Sequence, residues 1–388
     1  MNYLLVEPSV KHIAPNIALM KWATWCELNN HKYQYVCGTI VPTITPDEIL
    51  ISCIFSFYSS KYEKTIKFYR SLFPNVIIKV GGAFPTNNRE WFSQFKNIIV
   101  HEGLCSEIED LPMKYSIEPN NNKLVMYASR GCPNKCKYCM VPKLEGQMRS
   151  FPTIRHHIEQ GLIENPNATS IVLYDNNFTA HEYFDAICDD IERSGLPVDI
   201  HGLHVRNFTE HQAERFSRLK WTSQGENGTP YLRFSFDFVA YQENILRSLK
   251  LVKKYDIKAG FFCYMLFNWQ DSPDDFWKRI VLSQQMVDEV GLTLFLFPQR
   301  FEPLDALKRN KYIGSLWNEE LVRGTVSLYT FLRGFLPLTK TRNLFNWIGY
   351  SKEEFFERCR NLGKRHSDYS LTKIQGTPPS TEQLLSGI

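Results

Sequence analysis

Three of the ten cysteines, Cys132, Cys136 and Cys139, fall within eight residues of one another. Thiolates spaced this way can wrap one face of an iron–sulfur cluster, for which four Cys ligands are usual. A three-Cys loop leaves one iron open, and an open metal position marks a catalytic rather than a structural centre. Two other chemistries compete. A structural zinc site would need a fourth ligand, for which His156 or His157 is available. Cys136 and Cys139 also form the CxxC of a redox pair. Neither finds its usual context, because there is no second CxxC and no thioredoxin-like surrounding pattern. The other seven cysteines (Cys26, Cys37, Cys53, Cys105, Cys188, Cys263 and Cys359) are scattered singly. They read as reduced thiols, since a disulfide framework suits a short secreted chain.

The elements that must position the cysteine loop follow from hydrophobic patterning. The loop comes directly after a strand-like run, Leu124–Ala128. Further strands are expected at Ile171–Tyr174, Asp199–His204, Tyr231–Phe236, Ala259–Leu266 and Leu292–Phe297. Helical periodicity separates them at Ile154–Glu164, Glu182–Arg193, Glu210–Leu219, Gln242–Tyr255 and Asp274–Val290. Six βα units in one run predict a partial (β/α)6 barrel of TIM type, with its chemistry at the strand ends. Upstream, apolar runs at Tyr3–Val6, Tyr33–Val36, Ile49–Phe57, Val76–Val80 and Ile98–His101 alternate with helix-like stretches such as Lys61–Leu72. That rhythm predicts a small doubly wound, Rossmann-like domain. Gly81 and Gly82 end its fourth strand, where a ligand could approach the backbone or the chain could simply turn. The polar stretch Pro112–Lys123 reads as a linker. The chain is therefore α/β, with domains expected over 1–115 and 120–305. A mostly helical carboxyl-terminal region, 306–388, follows, with helices near Trp317–Leu332 and Lys352–Asn361.

Composition excludes several classes. The 388 residues carry 45 basic and 41 acidic side chains, a net charge of +4. That balance gives no electrostatic case for nucleic acid or for an anionic membrane. The most apolar run, Ile49–Phe57, is far shorter than the roughly 20 residues that span a bilayer. The opening residues do not read as a secretory signal. A soluble, cytoplasmic protein is expected.

The full wording Ser129-Arg130-Gly131-Cys132-Pro133-Asn134-Lys135-Cys136-Lys137-Tyr138-Cys139 resembles the cluster loop of the radical S-adenosylmethionine superfamily. The resemblance implies that the three Cys hold a [4Fe–4S] cluster and that its fourth iron binds S-adenosylmethionine. Reductive cleavage then gives a 5′-deoxyadenosyl radical that abstracts hydrogen from a substrate. It further implies that Tyr138 packs near the adenine and that Gly146 and Arg149 match a Gly-x-x-Arg that follows the loop. Asp175, Asn176 and Asn177 fall where relatives contact the methionine amino group, although an Asx turn would use the same residues. Ser235 and Asp237 fall where the ribose or carboxylate is contacted. Phe267-Asn268-Trp269 lies at the adenine position but lacks the usual glycine. Arg300 is a candidate for the carboxylate or the substrate, and Arg206 for a ligand contact or a surface ion pair.

The amino-terminal domain, with Val80-Gly81-Gly82-Ala83-Phe84-Pro85-Thr86 and Glu102-Gly103…Glu107, is similar to the cobalamin-binding domain that precedes many such enzymes. Gly81 and Gly82 would then touch the corrin tail or nucleotide loop. The Asp-x-His-x-x-Gly motif that supplies a cobalt ligand is missing from residues 36–48. The resemblances therefore imply radical chemistry, with cobalamin-dependent methyl transfer as one outcome. A rearrangement, cyclisation or dehydrogenation without cobalamin is another, and a non-catalytic iron–sulfur or zinc scaffold a third. A tRNA methylthiotransferase would require further cluster cysteines upstream, and none are suitably arranged. An external electron donor such as flavodoxin or ferredoxin is implied. The substrate, a small molecule or a peptide, is not legible.

Overall fold

The computed structural model describes residues 1–10, 14–223, 228–364 and 369–388. The chain divides into two compact units. The first comprises Met1–Asn177, His181–Pro197 and Glu302–Lys311; the second comprises Phe178–Ala180, Val198–Phe301 and Tyr312–Ile388.

The first unit opens with a five-stranded sheet of β1 (Asn2–Glu7), β2 (Lys32–Cys37), β3 (Glu48–Ser52), β4 (Ile77–Gly81) and β5 (Ile98–Val100). All neighbours are parallel in the order β2-β1-β3-β4-β5, a doubly wound topology. Side chains alternate across it. Leu4, Val6, Ile49, Ile51, Ile78 and Val80 form one core with Tyr62, Ile66 and Tyr69 of the helix α2 (Ser59–Leu72). The other face presents Leu50, Ser52, Lys79 and Gly81 and is covered in part by the helix α1 (Ile17–Leu28). Patterning did not single out α1, whose sequence IALMKWATWCEL lacks a sharp division between apolar and polar faces. The expected strand Ile49–Phe57 stops at Ser52, and Ser56–Tyr58 forms a 3₁₀ turn leading into α2.

The same unit then forms β6 (Lys123–Met126), a short ribbon of β7 (Ser129–Arg130) and β8 (Arg149–Ser150), and β9 (Ser170–Leu173). β6 and β9 pair in parallel, and β7 pairs antiparallel with β8. The ribbon thus closes the cysteine loop at its base.

The second unit contains β10 (Val198–Ile200), β11 (Tyr231–Ser235), β12 (Gly260–Phe267), β13 (Leu294–Arg300) and β14 (Leu336–Leu338). β11, β12 and β13 are parallel; β14 adds antiparallel to β13. The helices Gln242–Lys254 and Pro273–Val290 make the crossovers, and the second is fixed by a capping box between Ser272 and Asp275.

All six strands expected of the barrel form, but they do not share one ladder, and no closed barrel is present among the described residues. The reason lies after β10. Gly202 takes a φ of 68°, so the expected strand Asp199–His204 ends at Ile200. A single bond from Leu203 N–H to the Arg233 carbonyl, 3.2 Å, stands where a β10–β11 ladder would run. The carboxyl-terminal region carries several helices and also supplies β14. Its helices Glu319–Phe331 and Lys352–Gly363 approach so closely that a Cβ on Gly324 would strike the Cys359 carbonyl. No helix among the described residues is long and apolar enough to cross a membrane.

Candidate metal centre

Cys132, Cys136 and Cys139 are free, half-buried thiols on the loop between β7 and β8. The chain folds tightly there. Cys139 N–H donates to the Cys136 carbonyl at 3.0 Å, closing a turn over Lys137 and Tyr138. Asn134 N–H points at Cys132 Sγ, 3.4 Å away. Burial pushes the Cys139 thiol up from its ordinary value, and the neighbouring sulfurs of Cys136 and Cys132 push it further. Deprotonating all three together is therefore costly unless a cation shares their charge. Among the described residues, no three His, Cys, Asp or Glu side chains gather at the spacing of a single-ion site.

Gly131, just before the first thiol, has a φ of 77°, and a Cβ there would run into the Gln147 carbonyl oxygen. Only glycine suits that left-handed, crowded position. Its N–H donates to Glu145 Oε2 at 2.7 Å.

The run after β9 clasps this loop with three consecutive side chains. Asp175 is buried and accepts from Ala128 N–H at 3.0 Å and from the Ser129 hydroxyl at 2.5 Å. Burial raises its carboxyl to about 6, against the lowering effect of those hydrogen bonds. Asn176 Nδ2 donates to Glu145 Oε2 at 2.8 Å, the same oxygen that holds Gly131. Asn177, fully buried, donates to Cys132 Sγ at 3.8 Å. The Asp175 carboxylate thus faces its own chain, which makes it a positioning group for the loop.

Sequence reasoning missed Glu145, Glu109 and His181. Arg130 lies 3.1 Å from Glu109 and 3.3 Å from Glu145, and its guanidinium stands 3.8 Å over the Tyr127 ring. Arg130 thus joins two carboxylates in a buried ion cluster at the start of the loop. His181 Nε2 meets the Ala128 carbonyl at 2.8 Å, and burial lowers its pKa. An i, i+15 Arg–Glu pair flanking a cysteine loop is the only sequence signal that could have pointed to Glu145. Arg149 is mostly exposed at the ribbon, 5.6 Å over Phe151. Gly146 has a φ of 73° and open space around it. Tyr138 is half-buried in the loop turn.

The remaining expected site residues lie in the second unit. Ser235 ends β11 opposite Tyr264 of β12. Asp237 Oδ1 accepts from Leu266 N–H at 2.9 Å. Asn268, at φ 67°, is buried and bonds to Gly314 and Tyr312, which explains a non-glycine residue there as a structural anchor. Arg300 donates to the Tyr312 carbonyl at 2.8 Å, and Arg206 stands 5.4 Å over Tyr241. Patterning also missed a buried polar group at the strand ends. Asp199 is wholly buried, pairs through both oxygens with Arg233, and lies 3.6 Å from His201. Burial pushes its pKa up, but the hydrogen bonds from His201 and Arg233 and the Arg233 charge outweigh that and hold it low.

At the amino-terminal sheet, Gly82 has a φ of 110°, and a Cβ there would collide with the Cys53 carbonyl. Its glycine is accounted for by the chain's own packing. Gly81 differs, since the nearest atom to an added Cβ is His101 Cβ at 4.0 Å.

No protein-family model matches the chain, and neither does any curated protein sequence. Among solved structures, Streptococcus suis SuiB bound to precursor peptide SuiA is 15% identical, over 79% of this chain and 68% of that one, at a TM-score of 0.37. SuiB bound to S-adenosylmethionine is 13% identical, over 72% of this chain and 58% of that one, at a TM-score of 0.35. Likeness at this level is faint, and the functional reading of the loop rests on this chain's own residues.

Proposed function

We propose that this chain is a radical S-adenosylmethionine enzyme whose [4Fe–4S] cluster is held by Cys132, Cys136 and Cys139. The observation that carries the reading is the loop itself. Three free thiols stand in the Ser-Arg-Gly-Cys-Pro-x-x-Cys-x-Tyr-Cys wording, clasped by Asp175, Asn176 and Asn177. The donor set fits such a cluster, because each thiolate takes its own iron and need not converge on one ion. When bound, the cluster supplies one electron for reductive cleavage of S-adenosylmethionine ahead of hydrogen abstraction from a substrate. The chain's own residues do the rest. Asn177 and the Asn134 amide donate to Cys132 Sγ, Asp175 fixes the start of the loop through Ser129, and Glu145 holds Gly131. The reading implies an external one-electron donor and a cytoplasmic setting.

Cobalamin-dependent methyl transfer draws support from the doubly wound strand order and from the Val80–Thr86 and Glu102–Glu107 wordings. The residues at that sheet edge do not fit a corrinoid. Gly82 is claimed by the Cys53 backbone, no His lies between β2 and β3, and the adjoining cavity of about 340 Å³ suits a drug-sized molecule. Radical chemistry without cobalamin is the reading the site supports.

Anaerobic reconstitution with iron and sulfide tests it. The expected result is about four irons per chain and a broad visible absorption band. Under dithionite, 5′-deoxyadenosine forms with the wild type and not with Cys136→Ala. Colourless, zinc-loaded protein that makes no 5′-deoxyadenosine overturns the reading.

A further inference from the structure

The amino-terminal sheet is covered unequally. α2 packs fully against one face, whereas α1 on the other leaves the carboxyl-terminal halves of β3, β4 and β5 to a cavity of about 340 Å³. Leu50, Ile99, Ile17, Trp22 and Leu104 give it mainly apolar walls. Gly81 opens on to it, with room for a side chain.

One wall is not apolar. Lys21, on α1, lines the cavity and is only 7% exposed. Its ammonium donates to the Glu109 backbone carbonyl, and no carboxylate among the described residues comes within 4.0 Å of it. Two of the acidic side chains nearby are engaged elsewhere. Glu109 is shared by Arg130 at 3.1 Å and Arg149 at 3.9 Å, and Glu107 accepts from the Cys105 thiol at 3.8 Å. His101 is bonded to the Leu104 carbonyl at 3.2 Å. An ammonium carries three donors, so Lys21 keeps unfilled bonding capacity beside an apolar chamber. Burying such a charge with no carboxylate in direct contact is costly. The first turn of α1, Ile17 to Leu19, forms part of the same wall, and a helix amino terminus favours negative charge. Burial lowers the Lys21 pKa and Arg130 adds to that, against the raising effect of the Glu109 and Asp110 charges.

We propose that this cavity binds a small organic carboxylate, with its apolar body against the β3–β5 face and its anionic end on Lys21. The site lies wholly within the first unit and does not depend on the cluster.

The test uses the full-length chain and octanoate, with octan-1-ol as the uncharged control, followed by calorimetry. One octanoate per chain is expected. Lys21→Met keeps the apolar stem, so it should weaken octanoate at least tenfold and leave octanol unchanged. Gly81→Val adds a side chain into the cavity and should abolish both. The same titrations on a Cys132, Cys136 and Cys139→Ser chain should give unchanged affinities, which separates this site from the proposed enzymatic reading. Failure of octanoate to bind the wild type, or equal affinity in Lys21→Met, overturns the proposal. So does cyanocobalamin binding that Gly81→Val removes.

Discussion

The side-chain amide of Asn177 donates to Cys132 Sγ at 3.8 Å, so the turn after β9 reaches the first thiol of the loop directly. Hydrogen bonds to sulfur tune iron–sulfur potentials upward. Removing one worth about 1 kcal/mol corresponds to about 40 mV for a one-electron couple. With the proposed cluster bound, Asn177→Ala should therefore retain its iron and become harder to reduce by about that amount. A potentiometric titration followed by electron paramagnetic resonance reads the shift, and an unchanged potential would deny the bond a role.

Gly131→Ala should be far more damaging than its size suggests. The left-handed φ and the Gln147 carbonyl both oppose a Cβ. The loop must open to admit it, at a cost of about 2 kcal/mol or more. Iron content after reconstitution should fall to background, while far-ultraviolet circular dichroism stays near wild type. Gly146→Ala, with φ of 73° but open surroundings, should lose less.

Asp175 makes stability depend on pH. Its carboxyl titrates near 6 in the folded chain against an ordinary 3.8. The folded state therefore holds its proton more tightly than the unfolded state does. The stabilising contribution is complete below about pH 4 and is lost as pH rises through about 6. The swing is on the order of 3 kcal/mol. Asp175→Asn should flatten the urea midpoint between pH 4 and 7, and a parallel slope in both proteins would show that Asp175 ionises freely.

Arg233→Met should leave Asp199 charged and buried without its bidentate partner. A loss of about 3–5 kcal/mol is expected. The double variant Arg233→Met, Asp199→Leu should recover most of it, because the penalty lies in the unpaired charge. Equilibrium denaturation of the two variants distinguishes this from a simple packing defect.

Most strands were legible because each is a short apolar run bounded by turn residues, and Tyr231–Ser235 and Gly260–Phe267 fall where patterning puts them. The break after β10 was not legible, because a single glycine at positive φ decides it. α1 escaped because burial on several sides blurs helical periodicity. In the candidate site, the thiols could be read from their spacing, and the Asp-Asn-Asn run was pointed to by the family resemblance. What Asp175 bonds to could not, since Ser129 and Ala128 lie 46 and 47 residues away along the chain. Glu145 stayed hidden for the same reason, because its importance comes from receiving Gly131, Asn176 and Arg130 together.

That convergence on Glu145 has a consequence for how the loop could change over time. Gly131, Asn176 and Arg130 are all held by one carboxylate, and Ser129 by Asp175, and the one bond between two cysteines, Cys139 N–H to the Cys136 carbonyl, uses backbone atoms, so none of these contacts needs a thiol. Shape and reactivity are therefore separable. A chain with serine at 132, 136 and 139 should keep the loop's backbone trace and its protection from amide hydrogen exchange while losing all affinity for iron. Such a scaffold could shed the proposed redox chemistry without unfolding, or acquire it on a loop that was already built.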